Sequence, residues 1–350
     1  MAHAYQAVGW NPQKKKYDGA LLLGVALYLA VFIGSGLAVQ PDITAETLVI
    51  RGFGSAALLL LHVVLCIGPL ARLDRRFLPL LYNRRHMGVT MFFLAFVHGA
   101  FSLVQFHAFG DRNPIESLFL SNTNYASLAE FPFQPLGAAA LAILFLMAAT
   151  SHDFWLANLT PPVWKALHML VYVAYALVVA HVSLGALQAE TSPLLIGLMS
   201  LGMIAVFGLH WTAGAREVEG DREIDEPPPG TAFVRVATVE EIPDNRAKVV
   251  CVGGERVAIY HYDGKISAVS SVCQHQNGPL GEGRIIDGCI TCPWHGFGYR
   301  MEDGKSPPPF TEMVPTYRLR LSDGMVYVHD QANPPGTYQE PIKLQEGVNR

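Results

Sequence analysis

Charge is scarce in this chain. Only 15% of its 350 residues are Asp, Glu, Lys or Arg, while 51% are hydrophobic, and the mean hydropathy is positive. That balance excludes an ordinary soluble domain and calls for membrane segments. Cysteine is scarce as well. Cys66, Cys251, Cys273, Cys289 and Cys292 are odd in number and lack framework spacing, which argues against a disulfide-stapled secreted fold and for a reducing compartment. The net charge of -4 is small and the basic cluster Lys14, Lys15, Lys16 is short, so nucleic acid is not an expected partner. No G-x-G-x-x-G follows a predicted strand, so the fingerprint of a dinucleotide site is missing.

What is present divides the chain. A membrane-spanning helix takes roughly 20 mostly apolar residues, and six stretches qualify, at about 20–39, 48–71, 87–106, 135–151, 163–185 and 193–212. The first begins too late, and is too long, to read as a cleaved signal peptide. The expected organisation is an N-terminal segment at 1–18, a six-helix transmembrane bundle at 19–213 and a charged, proline-rich linker at 214–230 containing AREVEGDREIDEPPPG. From 231 to 330, short β-branched runs such as FVRVATV, KVVCV, RVAIYHY and MVYVHD alternate with DG, GG and PPP, the pattern of a small all-β domain. Residues 331–350 read as an extended tail. Lys14, Lys15 and Lys16, with Arg72, Arg75, Arg76, Arg84 and Arg85, flank one side of the spans. The positive-inside rule then puts both termini and the β-domain in the cytoplasm, with the bacterial inner (plasma) membrane as the expected location.

The β-domain contains CQHQNGPLGEGRIIDGCITCPWH at 273–295, which offers Cys273 and His275 in a C-x-H pair and Cys292 and His295 in a C-x-x-H pair. Structural zinc usually joins pairs with wider spacing, and one residue between two ligands of a single tetrahedral ion is awkward, though zinc stays open on spacing alone. A Rieske [2Fe-2S] cluster puts two cysteines on one iron and two histidines on the other, so each loop would supply one sulfur and one nitrogen. The stretches SVCQHQNGPLGEG and CPWHGFGYR resemble the two cluster-binding loops of the Rieske family. The resemblance implies a cluster held by Cys273, Cys292, His275 and His295. It also implies no loop disulfide, since the places of the extra cysteines hold Asn277 or Gly278 and Trp294. Where high-potential members have a serine and a tyrosine hydroxyl, this chain has Phe297 and Tyr299, so the cluster is expected to be of the ferredoxin type. Tyr299 reads equally as a cluster hydrogen-bond donor or as a packed core residue.

The membrane half carries His62, His86, His98, His168, His181 and His210 in or at the ends of its spans, and ionisable residues there are costly and default to function. His168 and His181 share one helix and are about 20 Å apart in rise, which suits two stacked haems. His98 and His86 offer matching depths on the third helix, although their azimuths differ, and His62 is a rival for the fourth place. The stretch NRRHMGVTMFFLAFVH, and TSHDFW with VWKALHMLVYVAYALVVAH, resemble the third and fifth helices of the ferric reductase-like transmembrane family, which includes the NADPH oxidase core. The resemblance implies haem b, two per chain, ligated by His98, His168 and His181, with His62 or His86 as the fourth ligand. His107, His152 and His210 read as interfacial or packing residues. Arg84 and Arg85 read equally as haem propionate partners or as positive-inside anchors.

The expected function is that of an oxidoreductase carrying electrons across the membrane. A cytoplasmic flavoprotein reductase or ferredoxin would feed the cluster, and the haems would pass electrons to an acceptor or partner protein on the far side. The alternative is a redox or oxygen sensor, or a non-catalytic electron-transfer subunit of a larger complex. A Rieske oxygenase is excluded, because no length is left for a domain with a 2-His-1-carboxylate iron site.

Overall fold

The computed structural model describes residues 12–152, 155, 159, 161–189, 193–220, 222, 231–275, 278–293, 296–308 and 310–344. The chain divides into two compact units, residues 10–71 with 83–210 and residues 72–82 with 211–350.

The helices are α1 (Pro12–Val39), α2 (Ala45–Leu73), α3 (Leu78–His107), α4 (Pro114–Leu120), α5 (Gln134–Ala149), α6 (Pro161–Met169), α7 (Val171–Leu184) and α8 (Pro193–Gly220). Five runs of 25 to 29 residues are long and apolar enough to cross a membrane: Lys14–Val39, Ala45–Leu73, Asn83–His107, Val163–Gln188 and Pro193–Val218. Their outer faces leave Leu23 and Val31 of α1, Phe93 of α3, and Leu201 and Phe207 of α8 more than half exposed, a surface that lipid, not water, would cover. The span predicted at 135–151 forms α5, which has only 16 residues. At 1.5 Å per residue it is about 24 Å long, short of a hydrocarbon core of about 30 Å. It stops where Thr150 and Ser151 turn their hydroxyls back onto the Leu146 and Met147 carbonyls, and local thinning of the bilayer is the usual response to so short a span. The last helix runs on to Gly220, past the predicted span end at 212, because AREVEG is made mostly of good helix formers and the next proline comes only at 227. The rest of the predicted linker, at 223–230, lies outside the described residues, as do positions 1–11.

The β-domain has β1 (Phe233–Thr238), β2 (Arg246–Val252), β3 (Glu255–Tyr262), β4 (Lys265–Ser270), β5 (Arg284–Ile286), β6 (Cys289–Thr291), β7 (Gly298–Arg300), β8 (Thr316–Tyr317), β9 (Leu319–Ser322), β10 (Met325–His329) and β11 (Ile342–Lys343). They form three antiparallel sheets in the orders β1-β10-β9, β11-β4-β3-β2 with β8 also on β4, and β5-β6-β7. Tight two-residue turns at Gly253-Gly254, Asp263-Gly264, Asp287-Gly288 and Asp323-Gly324 all have positive φ at both positions, the geometry that matches strand twist and selects Gly and Asp. Strand β3 lies between two cores. Val257 and Ile259 face a cluster with Val234, Val326 and Val328, while Ala258 and Tyr260 face another that holds Cys273, Cys292, Phe297 and Tyr299, the period-two alternation of a strand buried on both faces. The tail is more than an extended end: Ile342 and Lys343 pair with Ile266 and Lys265 of β4, covering a sheet edge. Residues 345–350 lie outside the described residues.

Candidate functional site

Two loops at one end of the second β core carry the C-x-H and C-x-x-H pairs, and both close in the same way. The Cys273 amide donates to the Gly278 carbonyl at 2.9 Å, and the Cys292 amide to the Phe297 carbonyl at 2.8 Å, so each cysteine opens a loop pinned five residues later. Gly296, at φ 68, makes the second bend, where a side chain would be strained. Both cysteines are 1% exposed and all five cysteines are free thiols, as expected for loops without a disulfide. His295, Trp294, Gln276 and Asn277 lie outside the described residues.

Register places the donor. Tyr299 of β7 pairs with Ile290 of β6 and is fully buried, its hydroxyl 3.3 Å from the Cys273 Sγ and accepting the His275 amide at 3.3 Å. Burial first, and then the adjacent Cys273 and Cys292 sulfurs, push this hydroxyl well above the ordinary tyrosine pKa, so it remains a proton donor. Tyr299 is therefore core residue and sulfur partner at once. Phe297 lies flat against the His275 ring, with centroids 4.7 Å apart and planes 7° apart. Burial also holds the His275 imidazole below the usual histidine pKa, in the neutral form that binds metals. Cys289 stands on β6 and Cys251 on β2, outside both loops.

In the helical unit the sequence candidates separate. His98 of α3 and His181 of α7 come together with ring centroids 6.2 Å apart and planes at 81°. Each Nδ1 bonds a backbone carbonyl, His98 to Ile50 of α2 at 2.8 Å and His181 to Phe133, the cap residue before α5, at 2.9 Å. Each ring also lies over the glycine four residues beyond that carbonyl. A Cβ on Gly54 would stand 2.7 Å from the His98 Nδ1, and one on Gly137 2.8 Å from the His181 Nδ1. The duplicated device fixes the Nδ1–H tautomer and leaves each Nε2 as a lone-pair donor. Two metal–nitrogen bonds of about 2 Å end to end, plus the nitrogen-to-centre distance in each ring, come to about 6 Å, so the pair is spaced for one metal ion between them. Gly54 and Gly137 escaped the reading of the sequence, because the signal, a glycine four residues past an acceptor carbonyl, exists only once the facing helices are known.

Among the described residues, no second imidazole is paired with His168 as His181 is with His98. Its Nδ1 bonds the Trp164 carbonyl at 3.0 Å and its Nε2 faces the Ser151 hydroxyl at 3.3 Å, with Trp164 stacked at 3.8 Å. His86 bonds Asp18 of α1 through Nδ1 at 2.7 Å, and His62 packs edge-on against Tyr175. His107 bonds Ser117 and Gln134, and His210 bonds Tyr172.

Known families cover both stretches. The family described as Rieske [2Fe-2S] domain matches residues 232–318, and that described as ferric reductase like transmembrane component matches 22–179. The 3-phenylpropionate/cinnamic acid dioxygenase ferredoxin subunit of Photorhabdus laumondii is 36% identical over 95 residues, 27% of this chain and 90% of that protein. The chain belongs to the Rieske family, with a ferric reductase-like transmembrane domain ahead of the Rieske domain. The Rieske domain is also similar to cholesterol 7-desaturase nvd of Xenopus laevis, 38% identical over 84 residues, 21% of this chain but only 18% of that protein. Among solved structures, the Sphingomonas yanoikuyae B1 ferredoxin is 27% identical, covering 28% of this chain and 98% of its own, at a TM-score of 0.26. This Rieske protein is an integral-membrane oxidoreductase with a redox role. Its domain carries a [2Fe-2S] cluster, and the two buried thiols with the neutral His275 are the donor types that such a cluster takes.

Proposed function

We propose that this Rieske protein carries electrons across the membrane, from a cytoplasmic flavoprotein reductase or ferredoxin through the cluster and haem b to an acceptor on the far side. In this reading Cys273 and Cys292 hold one iron of the cluster, and His275 and His295 hold the other. His98 and His181 are the axial ligands of one haem b. A second haem b takes His168 and, of the two candidates, His86, which shares the depth of His168 and whose tie to Asp18 is the kind that orients a ligating imidazole. When bound, both kinds of group take up and pass on single electrons. The chain's own part is to fix the imidazole tautomers, donate hydrogen bonds to sulfur and exclude water. The carrying observation is the His98–His181 pair, spaced for one metal and locked by two carbonyls. Several relatives are ferredoxin subunits of dioxygenases, which supports the Rieske domain as a one-electron inlet. Cytoplasmic placement follows from the arginines at 72–85 and requires the short α5 to cross.

The test is reconstitution of the full chain in right-side-out vesicles with a cytoplasmic reductase. Cys273→Ser is expected to abolish haem reduction from that side while the haem stays bound. Haem reduction at the wild-type rate in that variant would remove the Rieske domain from the path.

A further inference from the structure

His62 lies deep in α2 at 4% exposure, and Tyr175 of α7 faces it at 5%. Their rings meet edge to face, 5.5 Å apart and at 83°. Among the described residues no hydrogen bond of ordinary geometry reaches either nitrogen of His62 or the Tyr175 hydroxyl, and the one backbone group that acts on the ring is Leu58, a turn back on α2. Gly202 of α8 makes the room, since a Cβ there would stand 2.5 Å from the Cδ2, Cε1 and Nε2 of the ring. The packed cluster at this depth holds Leu61, Leu65 and Cys66 of α2, Met91 of α3, Leu144 of α5, Tyr175 of α7 and Val206 of α8. Tyr175 and Cys66 are the titratable members, and what α3, α5 and α8 contribute is apolar. A leucine at position 62 would pack there at no polar cost, whereas polar atoms without ordinary hydrogen bonds are costly in hydrocarbon, a penalty that marks a working group.

The depth says what the work is. Along the fifth span Tyr175 stands six residues from His181 and seven from His168, about 9 and 10 Å in rise. The His62–Tyr175 pair is therefore level with the gap between the two proposed haem positions. An added electron is poorly screened there. Unit charges about 10 Å apart at an effective dielectric near 20 alter each other's equilibria roughly ten- to twentyfold.

We propose that His62, with Tyr175, is a proton-accepting site that takes up one proton when the membrane redox group gains an electron and releases it on reoxidation. The inference rests on the electron-transfer reading above. One electron arrives from the donor chain and one proton from water. The proton forms an N–H bond at a nitrogen of His62, and the aromatic ring of Tyr175, edge to face with the imidazole, lies beside the charge that forms. On reoxidation that N–H bond breaks and the proton returns to water. The next polar pair along α7, Tyr172 with His210 of α8 at 3.1 Å, marks the route, because Tyr172 is 42% exposed and both residues lie toward the membrane face where α8 ends.

The test uses purified full-length protein with its haem content measured, titrated spectroscopically between oxidised and reduced states at several pH values from 5.5 to 8.5. In the wild type the haem's electron affinity is expected to fall toward tenfold per pH unit over part of that range. His62→Leu and His62→Gln should keep the haem and flatten that dependence. Tyr175→Phe should keep the slope and move the pH window. Redox difference infrared spectra of histidine-labelled wild type should show imidazole bands, which gives a readout even if a variant fails to fold. Haem-replete His62→Gln with the wild-type slope, or no imidazole band in the wild type, overturns the proposal alone. Loss of haem in both His62 variants would make His62 a ligand and overturn it too. Protein that never carries haem fails the parent reading and this one with it.

Discussion

Gly54 and Gly137 are the sharpest handle on the proposed haem site, because each can be tested by adding one methyl group. An alanine Cβ would stand 2.7 Å from the His98 Nδ1 in the first case and 2.8 Å from the His181 Nδ1 in the second. Carbon atoms prefer heavy-atom contacts of about 3.5 Å or more, so the imidazole must retreat by roughly 0.7 Å. That retreat stretches the Nδ1 bonds to Ile50 and Phe133, now 2.8 and 2.9 Å, beyond hydrogen-bonding range. Overpacking costs about 1–3 kcal/mol and the lost bond about 1 kcal/mol more. Haem retention should therefore weaken roughly thirtyfold or more in Gly54→Ala and in Gly137→Ala. The assay is the haem-to-protein ratio by pyridine haemochrome after detergent washing, with Gly24→Ala of α1 as control, since nothing lies within 4 Å of a Cβ there. Full retention and an unchanged Soret band in both variants would refute the locked-imidazole argument.

Tyr299→Phe removes the hydroxyl 3.3 Å from the Cys273 Sγ. If that bond strengthens by about 1 kcal/mol when the cluster is reduced, the potential should drop by about 40 mV, measured by EPR-monitored titration, and an unchanged potential would remove Tyr299 as a donor. Cys289→Ser should keep the [2Fe-2S] EPR signal while Cys292→Ser loses it; the opposite pattern would reassign the ligands. Gly304→Ala places a Cβ against the Val314 carbonyl at φ 65, which should destabilise the β-domain by about 2–4 kcal/mol, read as a lower melting temperature for cluster loss.

What could be read in advance was local. The C-x-H and C-x-x-H pairs, the DG and GG turns and the long apolar runs each carry their meaning within a few neighbouring residues. What depended on how helices rotate against one another could not be read. Azimuth along one helix does not say whether His62 or His86 turns toward His168; in the structure His62 meets Tyr175 and His86 bonds Asp18. Tyr299 looked like either a core residue or a donor because nothing in sequence shows that β7 brings its hydroxyl to a sulfur two loops away. The strand at Ile342 was hidden in a proline-rich tail because two residues are too few for a periodic signal.

The two proposed haem positions are not built alike, and this gives the last prediction. At His98 and His181 each imidazole is held through its Nδ1 by a backbone carbonyl, which leaves each Nε2 to serve as the ligand atom. At His168 the Nε2 already faces Ser151 at 3.3 Å, and the Trp164 ring covers its face at 3.8 Å. Occupying that place must displace the serine, at about 1 kcal/mol, and recruit His86 without loosening it from Asp18, a tie that spans two helices. Preorganisation favours the first position by at least the serine term, about a fivefold difference in retention. Graded washing of wild-type protein should therefore lower the haem-to-protein ratio from two toward one, and the haem species that remains should be the one held by His98 and His181. His168→Ala and His86→Ala should start near one and keep that species, whereas His98→Ala and His181→Ala should lose it. If the haem that survives washing disappears in His168→Ala and persists in His98→Ala, the pair with the better geometry is not the tighter site. The locked tautomers, carbonyls and glycines around it would then need another explanation.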